Sequence, residues 1–173
     1  QIIYFSRRSN NQYNPNIYLN QKLIEVVNHI KLLGLIFDLK LSWRLQTETL
    51  KEDCLRRLNI LRTITHRNWG ADYHVLKMTY QALIRNKLDY GSIVYNSATP
   101  STFKKLNTIQ NSALRIILGA YRTSPIQSLL IEAHEPPLDI RRIQLSIKYG
   151  VKVAARPGSN IHSYVYIPQS QQE

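Results

Sequence analysis

The sequence predicts an α+β fold, mostly α, with a small antiparallel β region over residues 1–43 and helices after it. Three observations carry that expectation. Short β-prone apolar runs separated by polar breakers fill the chain before Trp43, and apolar residues at helical spacing fill it afterwards. Helix starts and stops then punctuate the second part, at Thr99–Pro100, Gly119 and Ser124–Pro125. A chain of 173 residues allows one ordinary domain or two small ones, since domains of about 150 residues bury roughly 70% of their unfolded surface.

Ile2–Phe5 reads as a first short strand, and Ser6 to Asn16 are polar with Pro15 as a breaker. Ile17–Leu19 and Leu23–Val27 flank the polar pair Asn20 and Gln21 as the arms of a hairpin would. The run Leu32–Phe37 is interrupted by Gly34, which reads as a bulge, as a close backbone approach or as a tolerated core glycine.

From about Leu45 to Thr65 the stripe Leu50, Cys54, Leu58 and Leu61 predicts a helix with Cys54 in the core. Asp72 suits the N-cap of a second helix with Leu76, Tyr80, Leu83, Ile84 and Leu88 on one face, which Gly91 either ends or interrupts. Thr99 before Pro100 opens a third helix, with a capping hydroxyl and a proline at its first position, and Gly119 stops it. Ser124–Pro125 open a short helix to about Ala133, broken by Pro136 and Pro137. The last helix, Leu138 to about Ala155, places Ile140, Ile143, Ile147, Val151 and Ala154 on one side. Arg141, Lys148, Lys152 and Arg156 are read on the opposite, exposed one. Pro157–Gly158 are expected to end the order, leaving 157–173 as a mobile tail.

Twenty-three Lys and Arg against eleven Asp and Glu give a net charge of +12, which favours a polyanionic partner, nucleic acid first. The excess is concentrated: residues 1–43 sum to +3, 44–122 to +8 and 123–173 to +1. A membrane partner is not expected, because no apolar run approaches a span and the basic helices lack a large exposed aromatic and leucine face. Cys54 is the sole cysteine, which excludes an internal disulfide and a multi-cysteine zinc site and suits a reducing, intracellular setting, nucleus or cytoplasm. A start at Gln1 with Met78 as the only methionine suggests a piece of a longer protein.

The five histidines are scattered, and no HExxH, GxSxG, GxxxxGK or dinucleotide fingerprint occurs, so neither a catalytic residue nor a metal ligand emerges. Glu132, His134 and Glu135 cluster at a helix end, where solvated loop charges are the simplest reading, and Glu52 and Asp53 suit an early helical turn. What stands out is a set of basic residues interleaved with aromatics: Arg56, Arg57, Arg62, Arg67, Arg85, Lys87, Lys104, Lys105, Arg115 and Arg122, near Trp69, Tyr90 and Tyr121. Singly each reads as a solvated helix face. Together they form a candidate surface for phosphates and bases without sequence readout.

Four blocks in order, KLLGLIFDLKLSW (31–43), NWGADYHVLKMTYQALIRNKLDYGSIVYNSA (68–98), IQNSALRIILGAYRTSP (109–125) and EAHEPPLDIRR (132–142), resemble the C-terminal part of reverse transcriptases from non-LTR retrotransposons of the jockey type. The resemblance spans roughly residues 1–155. It implies that 1–43 is the C-terminal remnant of a polymerase palm, with Leu33, Gly34 and Leu35 matching the strand that grips the primer end. It implies a helical thumb over 44–122 and connector helices over 123–156. The implied partners are template RNA, the primer/cDNA duplex, and the palm and fingers of the parent protein. The family's paired aspartates, which hold two Mg²⁺ ions, have no counterpart here, so the chain itself is expected to hold no cofactor and to be catalytically silent. The rival expectation is a free-standing basic helical RNA- or DNA-binding or scaffold protein, such as a domesticated transposon remnant. Orphaned apolar strand edges in 1–43 would favour the fragment, and a fully paired sheet the rival.

Overall fold

The computed structural model describes residues 1–6, 16–65 and 70–166. Strands β1 (Tyr18–Leu19) and β2 (Lys22–Leu23) form one antiparallel pair, and β3 (His29–Leu32) and β4 (Leu35–Asp38) form another. The register of the second pair runs from His29 opposite Asp38 to Leu32 opposite Leu35. Helices follow: α1 (Arg44–Ile64), α2 (Tyr73–Tyr80), α3 (Asn86–Asp89), α4 (Pro100–Leu118), α5 (Ile126–Glu132), α6 (Leu138–Ala154) and α7 (Asn160–Tyr166). A π-helical turn, Gln81–Arg85, joins α2 to α3, and a 3₁₀ turn, Val94–Ser97, precedes α4. The architecture is mostly helical with two small antiparallel sheets, as the sequence pattern implies.

Both hairpins close on two residues that both have positive φ, Asn20–Gln21 (48°, 64°) and Leu33–Gly34 (47°, 81°), the geometry that matches the twist of the arms. Gly34 is therefore neither a bulge nor a core glycine; it is the second residue of an exposed tip. Ile2–Phe5 does not form a strand. Among the described residues it makes a single bridge, Ile2 to Val26, alongside the two-stranded pair β1–β2.

The core centres on α1 and α4. Leu50, Cys54, Leu58 and Leu61 of α1 pack with Leu106, Ile109, Ala113, Leu114 and Ile117 of α4, and α2 and the π turn add Leu76, Tyr80 and Ile84. Cys54 has no exposed surface, and burial together with the neighbouring Asp53 carboxylate pushes its thiol up to about 11. The β region belongs to the same core through Leu35, Phe37 and Trp43, whose indole N–H donates to Ser97 Oγ at 2.8 Å.

Asp38 locks the corner between β4 and α1. Its two carboxylate oxygens accept the backbone N–H groups of Ser42 and Trp43, each at 2.9 Å, across a loop where Leu41 and Trp43 both have positive φ. Burial alone would raise its pKa, yet these hydrogen bonds together outweigh burial and hold it below the usual carboxylate value.

Asp72 caps α2 as expected, its Oδ1 accepting from the N–H of Val75 at 2.9 Å. Thr99 does not cap α4 in this way; its hydroxyl pairs with those of Ser101 and Thr102, and Pro100 alone marks the first turn. Pro125, not Ser124, stands at the N-cap of α5. Order does not end at Pro157–Gly158, since α7 follows and packs on α6. The tail from 167 on lies outside the described residues.

Helix α6 corrects an expectation. Its isoleucine stripe does not turn inward: Ile140, Ile143, Ile147 and Val151 are exposed, and the helix docks by Leu138, Arg142 and Val153. The reason is electrostatic. Arg141 donates to Asp89 Oδ2 through Nε and Nη2 at 3.1 and 2.9 Å, and Arg142 lies over the Phe103 ring with Cζ 3.9 Å from its centroid. A desolvated cation–π contact is worth about 2 kcal/mol, and burial lowers the Arg142 pKa from its ordinary value.

Candidate nucleic-acid interface

Four consecutive residues, Leu88–Asp89–Tyr90–Gly91, join the hairpin, the bundle and α6. Leu88 is in the core, and Asp89 receives Arg141. Tyr90 donates its hydroxyl to the Leu33 carbonyl at 2.6 Å, tying the hairpin tip to the end of α3. Gly91 ends that helix with φ 65°, and a Cβ there would lie 2.7 Å from both Cδ atoms of Leu35. Only glycine meets both conditions.

The tip so held overhangs an open groove of about 510 Å³. Lys31, Leu33 and Gly34 form one wall, and Arg57 of α1 with Asn86, Lys87 and Tyr90 forms the other. Leu33 is 83% exposed with φ 47°, an apolar side chain on a strained backbone facing solvent. Beneath it Asp53 is shared by Arg57 at 3.2 Å, Lys87 at 3.7 Å and Arg56 at 3.8 Å. One carboxylate between Arg57 and Lys87 leaves the wall positive, and Lys31 adds to it from across the groove. Such an arrangement can take an anionic backbone lengthwise with an apolar residue against its sugars or bases.

The structure thus brings Arg57 and Lys87 together with Leu33 and Gly34, and Arg56 shares Asp53 with them from outside the groove. Leu35, the third residue of the primer-grip-like trio, points into the core instead. Arg62 and Lys104 are exposed on helices and Arg122 on the loop after α4, Arg62 donating to Asn59 Oδ1. Lys105 pairs with Glu48 at 2.8 Å, and Arg115 is half-buried against the Asn111 carbonyl. Arg67 and Trp69 lie outside the described residues.

Arg85 has a different task. Its guanidinium is turned inward, its side chain 15% exposed, and it pairs with Glu135, whose own side chain is 1% exposed. Gln81 donates to the other Glu135 oxygen at 2.7 Å, so the π turn aims both residues at one carboxylate. Glu135 is accordingly not a solvated loop charge, although Glu132 and His134 are exposed. Sequence reasoning named Tyr90 among the interleaved aromatics but missed Lys31, because the contact between Tyr90 and the hairpin tip joins positions 57 residues apart.

Among the described residues no group of three or more His, Cys, Asp or Glu is gathered to hold a metal ion. Asp38, the acid nearest the hairpin in sequence, has both oxygens engaged by backbone N–H groups. The described residues therefore show no counterpart of the two-metal centre that the resemblance implies for a whole polymerase. No helix among the described residues is long and apolar enough to cross a membrane. Compared with family models, with curated proteins and with solved structures, the chain matches none.

Proposed function

We propose that this chain is the duplex-holding part of a jockey-type reverse transcriptase, comprising the end of the palm, the thumb and the connector. It contacts template and primer through their backbones and lacks the metal-binding aspartates. The observation that carries the reading is the groove: a strained, exposed Leu33–Gly34 tip set over Lys31, Arg57 and Lys87. The strand edges support it as well. Tyr18, Leu19, Leu23 and Leu32 lie exposed in sheets of only two strands each, as strands would whose neighbours belong to the rest of a palm.

The test is binding of an RNA–DNA duplex of arbitrary sequence, read by fluorescence anisotropy between about 50 and 300 mM salt. With roughly four phosphates neutralised, log K falls against log salt with a slope of about −3 to −4. The triple variant Lys31→Glu, Arg57→Glu, Lys87→Glu weakens binding at least tenfold and flattens that slope. Charge reversal at Lys104, away from the groove, does much less. Equal losses from both variants would reduce the binding to diffuse charge, and a salt-independent affinity would overturn the reading.

A further inference from the structure

The best-patterned helix of the chain carries its apolar stripe on the outside. At 3.6 residues per turn, Ile140, Ile143, Ile147 and Val151 fall within a sector of about 80°, with exposures of 48%, 55%, 61% and 63%. Spacing of i, i+3, i+7 and i+11 is the pattern by which a helix seats itself against another helix or in a groove. The far side of α6 is already committed to the body by Leu138, Arg142 and Val153. The stripe thus faces away from the body, and none of its residues lines the basic groove.

Three occupants could cover it, and charge separates them. Lys148 and Lys152 are exposed along one rim of the stripe, whereas the other rim carries the exposed Asp139 and the half-buried Ser146. A membrane-lying helix needs cations on both rims to reach headgroups and uses Trp, Phe or Leu for insertion; this one has a carboxylate on one rim and only Ile and Val in the stripe. A second copy paired antiparallel would set each lysine rim against its twin, and both copies carry +12. A different helix, apolar along one face and acidic along one flank, meets neither objection.

We propose that the exposed face of α6 is a docking ridge for an amphipathic helix with an acidic flank, supplied by a partner protein. Its anchors are Ile143 and Ile147, and Lys148 and Lys152 set the preference for acidic residues. This site is separate from the proposed nucleic-acid groove and does not depend on it.

The test uses the whole chain and two synthetic helical peptides of four turns. One places leucines at i, i+3, i+7 and i+10 with glutamates on the flank, and the other has the same composition scrambled. The chain is expected to bind the first at least tenfold more tightly. Ile143→Ser with Ile147→Ser abolishes the difference while leaving the circular dichroism spectrum unchanged, because both residues are exposed. Lys148→Glu with Lys152→Glu weakens binding of the acidic peptide and favours a lysine-flanked version. Equal affinity for the scrambled peptide, no binding, self-association lost in the isoleucine variant, or isoleucine-dependent sedimentation with phosphatidylserine vesicles in place of peptide binding would each overturn the proposal.

Discussion

At the scale of single residues, the positions that matter most are those where backbone and neighbours agree on one side chain. Gly91 combines a positive φ with a Cβ position already occupied by Leu35. Gly91→Ala is expected to cost about 1–3 kcal/mol, read as a lowered midpoint in urea with an unchanged slope. Gly34 differs: a Cβ there would meet only the Tyr90 ring at ordinary distance, so Gly34→Ala strains the tip without a clash and costs less. Asp38 supplies a pH dependence whose sign is fixed. Its folded pKa lies below the unfolded value of about 4, so its contribution is full above that value and is lost as pH falls through the folded one. Asp38→Asn should therefore flatten the acid limb of the stability curve below about pH 4 while lowering stability at neutral pH.

At the scale of elements, the polar clasp between the π turn, α3 and the start of α6 governs how α6 attaches. Breaking a buried ion pair by removing one partner costs about 3–5 kcal/mol, because the remaining charge stays buried. Glu135→Gln is thus expected to be far more damaging than loss of an exposed pair such as Lys105–Glu48, which is worth about 0–1 kcal/mol. Thermal melts of the two variants compare them directly. Tyr90→Phe removes one hydrogen bond to the Leu33 carbonyl, worth about 1 kcal/mol, and should speed amide exchange in β3 and β4 while leaving α4 protected. The helices were legible in the sequence because period and punctuation are local: α1 and α4 begin and end within a residue or two of where Leu45, Thr65, Pro100 and Gly119 indicate. The orientation of α6 was not legible, because Asp89 and Phe103, which turn its arginine side inward, are remote in sequence. The π turn escaped for the same reason, since its purpose is a carboxylate 50 residues further on.

At the scale of the whole molecule, the charge excess is not spread evenly over what the fold exposes. Some of the basic residues that the sequence offers for binding are engaged within the chain: Arg85 is turned inward onto buried Glu135, and Lys105 pairs with Glu48 at the surface. Basic composition marked the middle of the chain but could not separate cations that hold the fold from cations that line the groove. That distinction needs partners far apart in sequence. The groove set, Lys31, Arg57 and Lys87, is correspondingly smaller than composition alone suggests. In an extension assay with template, primer, Mg²⁺ and nucleotides, the chain is expected to yield no product. Genuine synthesis by these residues alone would contradict the assignment of polymerase chemistry to other segments.

The solitary thiol of Cys54 gives the molecule an internal clock. Enclosed between α1 and its neighbours and held near a pKa of 11, it offers an alkylating reagent neither access nor appreciable thiolate at pH 8 while the core is closed. Each modification therefore counts an opening of the bundle. Its rate, followed by mass as denaturant is raised from zero, separates the rare excursions of the native state from global unfolding without any added probe.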